Sequence, residues 1–278
     1  MHIMKSYKPT TPSRRHMQGI DYRMLVDSVR PKKHLTYGHK SNAGRNNRGR
    51  ITVRHRGAGA KKLLREIDFK YDKIKIPARV LTIEYDPGRS GFIGLVLYAD
   101  GEYRYHLMPS GIKVGDEIIA SESASVKPGN RLPLHLIPPG TSVYNIEIEP
   151  GGGAKLARAA AGKAEVLAQE ESYSQIKMSS GEIRKINKNS WASIGQVSNE
   201  ERRFMTIGKA GRHRHMGIRP TVRGSAMNPV DHPYGGGEGR ALRGTRRPKN
   251  LWGRGTRGVR TRKRHKYSDS LILQKRKK

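Results

Sequence analysis

Positive charge in this chain is gathered at its two ends, and that segregation constrains the fold more than any single motif. Residues 1–65 carry 17 basic and 2 acidic side chains, a net of +15. Residues 201–278 carry 23 basic and 4 acidic, a net of +19, while residues 66–200 carry 16 basic and 17 acidic, a net of −1. A conventional apolar core can therefore form only in the middle. The last segment also holds 12 glycines, so burial cannot offset the entropy of ordering it. Such ends are expected to stay disordered until a polyanion neutralises them.

Nucleic acid fits that role better than a membrane. Arginine outnumbers lysine in both ends, and its guanidinium suits bidentate phosphate contact. Surface binding to a bilayer needs an amphipathic apolar face, whereas the tails read Gly-Arg-Gly and Arg-Gly-Thr-Arg. The apolar stretch Ile93 to Ala99 is seven residues, well short of the roughly 18 needed to span a bilayer. Met1 to Thr10 lacks the apolar centre and small-residue cleavage site of a secretory signal. The chain has no cysteine. That excludes disulfides, a thiol nucleophile and thiolate metal sites, and it fits a reducing, cytoplasmic setting. With 34% hydrophobic and 6% aromatic residues overall, small cores are expected rather than one large one.

The pattern in the middle of the chain is β, and at its ends it is irregular. Residues 1–40, broken by Pro9, Pro12 and Pro31, read as an extended arm. Residues 41–62 read as loop, with Ile51 to Arg54 alternating like a short strand. Strands are expected at Ala78–Tyr85, Ile93–Tyr98 and Glu102–Met108, the last two joined at an Asp100-Gly101 hairpin turn. Lys113 to Ile118 closes a first compact unit over roughly 65–120. Proline and glycine between Pro128 and Gly140 mark a boundary. Beyond it, short strands at Val143–Glu149, Ala164–Gln169, Ser174–Met178, Ile183–Ile186 and Trp191–Val197 read as a second all-β barrel, with a hairpin turn at Ser179–Gly181. The Gly/Ala segment 151–162 is expected to let backbone approach a neighbour closely. After about Arg203 the chain turns to Gly, Arg, His and Pro with almost no alternation.

Catalytic and ligand motifs fare poorly. Neither Gly151–Gly153 nor Gly235–Gly239 is followed by the Lys-Ser/Thr of a phosphate loop. His213, His215 and His232 lack metal-ligand spacing, so no metal or other cofactor is expected. Asp231 and His232 could serve as an acid–base pair, but neighbours in an extended segment point opposite ways, and a base must be oriented toward its proton. A polar loop held against RNA is the stronger reading.

The segment Thr221-Val-Arg-Gly-Ser-Ala-Met-Asn-Pro-Val-Asp-His-Pro-Tyr-Gly-Gly-Gly-Glu-Gly239 is too particular for composition to explain. Together with Asn42-Ala-Gly-Arg-Asn-Asn-Arg-Gly-Arg50, Gly151-Gly-Gly-Ala-Lys-Leu-Ala-Arg-Ala-Ala160 and Gly208-Lys-Ala-Gly-Arg212, it resembles the bacterial uL2 (L2) family of large-subunit ribosomal proteins, along nearly the whole chain. The resemblance implies an OB-fold-like RNA-binding barrel followed by an SH3-like barrel, with long basic irregular N- and C-terminal extensions. Expected borders are 1–41 for the N-terminal extension, 42–120 for the first barrel, 121–200 for the second and 201–278 for the C-terminal extension. It further implies direct binding of 23S rRNA, support of subunit assembly and association, and tRNA placement near the peptidyl-transferase centre. The implied setting is the cytoplasm, within the large subunit. Its partners there are neighbouring large-subunit proteins, the small subunit across the interface and, indirectly, tRNA. No membrane or small-molecule substrate is implied.

The family histidine associated with the peptidyl-transferase centre maps onto His232. Since the reaction is generally assigned to RNA, no catalytic residue is expected, and His232 is read as positioning nearby RNA. Tyr234 stands where many relatives carry a second histidine. A phenol cannot take up a proton near neutral pH, so stacking or hydrogen bonding is the role that remains.

The residues expected at RNA are the basic sets Arg45, Arg48, Arg50, Arg54, Arg56, Lys61 and Lys62 before the first barrel, and Lys155 and Arg158 in the Gly/Ala segment. Around the central motif are Lys209, Arg212, Arg214, Arg219, Arg223, Asn228, Asp231, His232 and Arg240, followed by Arg254 and Arg257. Phosphate contacts of this kind position without reading sequence. Specificity is expected from RNA shape and splayed bases. Two other classes stay in view, a free-standing RNA-binding or chaperone protein and an RNA-processing enzyme using Asp231 and His232. The latter lacks the clustered carboxylates of a two-metal site.

Overall fold

The computed structural model describes residues 4–25, 30–239, 244 and 246–276. By compactness these form two units. One comprises residues 1–40, 61–209 and 270–278, and the other 41–60 with 210–269.

The first unit is built mainly of β-strands, with one helical turn at Pro12–Arg15. Two short ribbons open it: β1 (Met4–Ser6) with β2 (Gln18–Ile20), and β3 (Thr36–Gly38) with β4 (Leu63–Arg65). The basic N-terminal arm is thus not simply extended. Next come β5 (Ala78–Glu84), β6 (Ile93–Tyr98), β7 (Tyr103–Leu107) and β8 (Glu117–Ile118), forming an antiparallel four-stranded sheet in the order β7-β6-β5-β8. Both faces of β6 are buried, as its unbroken apolar run requires. Val96 and Tyr98 join one cluster with Val80, Met108 and Ile118, while Ile93 and Leu95 join another with Tyr105, following the period-two alternation of a strand. Gly94 leaves room for Met108, whose sulfur would lie 2.7 Å from an added Cβ.

The second sheet contains β9 (Arg131–Pro133), β10 (Ser142–Tyr144), β13 (Ala164–Gln169), β14 (Tyr173–Met178), β15 (Ile183–Asn187), β16 (Trp191–Ile194) and β17 (Ile272–Gln274), in the order β17-β15-β14-β13-β10-β16-β9. β11 (Ile146–Glu147) and β12 (Ala154–Leu156) pair separately. The expected strand over 143–149 is therefore split. Asn145 sits at φ 49°, in the left-handed region, and this turns the chain from one sheet to the other. The strand expected to reach Val197 ends at Ile194, where Gly195 takes φ 115°. The core of this sheet is aliphatic: Leu132, Leu134, Ile137, Val143, Ile146, Val166, Ile176 and Ile194.

A shared cluster of Leu107, Tyr144 and Val197, with Phe69 beside it, joins the two β assemblies. Next to it lies a buried polar hub. The Arg131 guanidinium donates to Glu147 Oε1 (2.9 Å) and to the Asn145 carbonyl (2.7 Å), and it stacks 4.3 Å over the Tyr71 ring. Paired in this way, a buried charge is tolerated. Nearby His106 is 1% exposed and shares a 3.0 Å hydrogen bond with the Tyr98 hydroxyl. Burial pushes its imidazole down to about 4, partly opposed by the Asp68 carboxylate.

Charge in this unit is compensated locally. Arg104 pairs with Asp68 (2.8 Å), Glu102 (2.8 Å) and Asp72, and Lys73 pairs with Asp100 and Glu102. Bonding to Arg104 holds the Asp72 carboxyl below its ordinary value. The fold is all β, in keeping with OB-like and SH3-like barrels. Among the described residues no helix is long and apolar enough to cross a membrane.

Candidate nucleic-acid interface

The second unit is built differently. The short strand expected at Ile51–Arg54 does not form, because the run has no partner strand. The Gly44 carbonyl accepts from the backbone N–H groups of Thr52 (2.9 Å) and Val53 (3.0 Å), and only an isolated bridge links Ile51 to Arg45. The chain is pressed against itself there. A Cβ on Gly44, which sits at φ +72°, would fall 2.3 Å from the Val53 carbonyl oxygen.

Residues 55–60 then run alongside 215–219. Arg219 N–H donates to the His55 carbonyl (3.0 Å), Gly57 N–H to the Gly217 carbonyl (2.8 Å) and Ala60 N–H to the His215 carbonyl (2.8 Å). Gly59 makes this approach possible, since an added Cβ would lie 2.8 Å from the His215 oxygen. Contrary to the irregular tail expected after Arg203, residues Ala210–His215 form a short helix, α1. The Arg212 carbonyl accepts from Met216 N–H at 3.0 Å just past its end.

The central motif is a tight loop. Asp231 and His232 N–H both donate to the Asn228 carbonyl (3.0 and 3.3 Å), and Gly236 N–H donates to the Met227 carbonyl (3.0 Å). Gly235 lies so close to Asn228 that an added Cβ would sit 2.1 Å from its carbonyl oxygen. The His232 ring packs over Gly224, where a Cβ would lie 2.5 Å from the imidazole. Tyr234 N–H donates to His232 Nδ1 at 3.1 Å, which leaves Nε2 to carry the hydrogen of the neutral ring. The two rings are 4.9 Å apart and tilted, and the Tyr234 hydroxyl accepts from Lys249 N–H. Tyr234 therefore both packs and hydrogen-bonds. Asp231 is exposed.

The expected RNA-contacting residues distribute unevenly. Arg45, Arg48, Arg50, Arg54, Arg56, Arg214, Arg219, Arg223, Asn228, Arg254 and Arg257 are exposed on this second unit, while Arg212 and His232 are half-buried. In the first unit Lys61, Lys155, Arg158 and Lys209 are exposed and Lys62 half-buried. Arg158 is engaged, its guanidinium 4.7 Å over the Phe69 ring and bonded to the Ala154 carbonyl. The Gly/Ala segment does approach closely there. Ala154 N–H donates to the Phe69 carbonyl (2.7 Å), and a Cβ on Gly153 would lie 2.9 Å from the same oxygen. Arg240 lies outside the described residues.

Within the second unit, Arg45, Arg54, Arg56 and Arg219 converge on one groove of about 210 Å³. Sequence reasoning missed its apolar wall of Ile51, Val53, Pro220, Val222 and Met227. The available signal was isolated aliphatics inside the most basic segments, where nothing nearby could bury them. Among the described residues no group of three or more potential ligands could hold a metal ion.

Two family models match the chain. That of the RNA-binding N-terminal domain of ribosomal proteins L2 covers residues 32–120, and that of the L2 C-terminal domain covers residues 127–253.

Proposed function

Because this chain belongs to the ribosomal protein L2 family, a family of structural, RNA-binding ribosomal proteins, we propose that it is a built-in part of the large subunit. There it binds 23S rRNA directly, supports subunit assembly and association, and helps organise tRNA near the peptidyl-transferase centre. The observation that carries this reading is the exposed arginine set of the second unit. Arg45, Arg48, Arg50, Arg54, Arg56, Arg214, Arg219 and Arg223 have no ion-pair partner among the described residues. Ion pairing otherwise falls almost wholly within residues 66–200. Phosphates would complete that set, with release of counterions adding to the affinity.

Lys61, Lys62, Lys155 and Lys209 on the first unit, and Arg254 and Arg257 on the second, are the further phosphate contacts of this reading. Asn228, Asp231 and His232 position RNA rather than transfer protons. The support for that role is His232 Nδ1, which is occupied by Tyr234 N–H, so the ring offers a partner only Nε2. Neighbouring large-subunit proteins and the small subunit are the protein partners of this reading, in the cytoplasm.

Sedimentation of high-salt-washed ribosomes tests it. The chain should remain in the large-subunit and full-ribosome peaks. Release to the top of the gradient would mean peripheral binding and a free-standing RNA-binding protein instead.

A further inference from the structure

We propose that the groove lined by residues 43–56 and 219–227 receives one unstacked nucleobase of RNA, with the flanking phosphates on Arg45, Arg54, Arg56 and Arg219. The inference rests on the RNA-binding reading above and adds what part of the RNA is taken.

Exposed aliphatics carry the argument. Ile51, Val53 and Val222 are 62%, 48% and 56% exposed, and all three line the groove together with four arginines and His55. No acidic residue is among the lining residues. An apolar patch ringed by cations, in a unit with no buried apolar side chain among the described residues, is costly to leave in water. A duplex would leave it so, because paired RNA presents phosphates and hides the faces of its bases. A splayed nucleotide offers both chemistries at once, a flat weakly polar face and an anionic backbone on each side.

Size and rigidity agree with that occupant. An apolar cavity of about 150 Å³ accepts benzene, so the groove's 210 Å³ accommodates a heterocyclic base. Its floor is pre-shaped: Ala43 and His55 hold left-handed backbone at φ 49° and 62°, a conformation that side chains other than glycine adopt at a cost. An acidic peptide is the other candidate for a basic groove. Peptides commonly add as a strand to free backbone groups, whereas the Gly44 and His55 carbonyls here already accept Thr52, Val53 and Arg219 N–H.

Three short RNA hairpins test the proposal on the full chain. One carries a single unpaired 2-aminopurine in its stem, the second is abasic at that position, and the third is fully paired. The chain should bind the first about tenfold more tightly than the second, with 2-aminopurine emission rising as the base leaves the stack. The double variant Ile51→Ser/Val222→Ser should lose that preference and the emission change while keeping its affinity for the paired hairpin. Arg219→Ala should weaken all three. Equal affinity for the base-bearing and abasic hairpins would overturn the proposal, as would an unchanged preference in the double variant. So would an oligoglutamate peptide whose binding depends on Ile51 and Val222 while the RNA preference does not, since the groove would then belong to a protein partner. Failure to bind any of the three hairpins would instead remove the RNA-binding reading beneath it.

Discussion

The two units of this chain are held by different physics. In the first, water exclusion dominates: Val80, Ile93, Ile146, Val166 and Ile176 are fully buried, and even a buried arginine has its carboxylate. In the second, Ser268 is the only buried residue among those described, and the shape comes from backbone hydrogen bonds closed over glycines. The first therefore has its stabilising partners within the chain. The second leaves most of its arginines facing solvent, where an anionic partner would offset their repulsion.

The largest expected effect tests whether the first unit depends on its internal compensation. Glu147→Ala leaves the Arg131 guanidinium buried and unpaired, and should cost about 3–5 kcal/mol in urea unfolding. A loss under about 1 kcal/mol would break the contrast. Next, Ile176→Ala should cost about 2–5 kcal/mol, whereas Val222→Ala in the second unit should stay within about 0.5 kcal/mol. Equal losses in the same melts would show that the second unit has a core after all.

Acid should act on the first unit through His106. Its imidazole is held at about 4 in the fold, against 6.5 ordinarily. Between those values the unfolded chain binds a proton that the native chain does not, so stability falls as pH drops through that window and levels off below it. The loss approaches about 3 kcal/mol, and His106→Gln should flatten this part of the stability profile. The smallest effect sharpens the other side. Arg45→Ala or Arg54→Ala should reduce the slope of log affinity for RNA against log salt by about 1 each, with no change in unfolding midpoint. A shifted midpoint would mean that the arginine supports the fold.

Much of the first unit was legible because its strands follow local rules. Ile93–Tyr98 with the Asp100-Gly101 turn, and Ser174–Met178 returning through Ser179–Gly181, needed only alternation and turn chemistry. Asn145 was not legible, because its left-handed backbone depends on which sheet each half of the strand joins. In the second unit, the arginines were visible from charge, but their grouping was not. Residues 55–60 meet 215–219 through carbonyls and amides that every residue possesses, so no side-chain pattern announces the pairing. The groove's aliphatics were equally silent, since a lone Ile51 or Val222 in a basic run suggests no partner until the fold sets them side by side.

The pairing of β17 with β15 also bears on the timing of biosynthesis. Ile183–Asn187 is made early, yet one edge of its strand is filled only by Ile272–Gln274, joined through Ile183↔Gln274 and Arg184↔Ile272. Every residue between them must leave the translating ribosome first. Through that interval the β15 edge presents open amides and carbonyls, the kind of edge on which chains stick to one another. A nascent chain interrupted before residue 272 would keep that adhesive edge, and its retention would distinguish unfinished copies from finished ones.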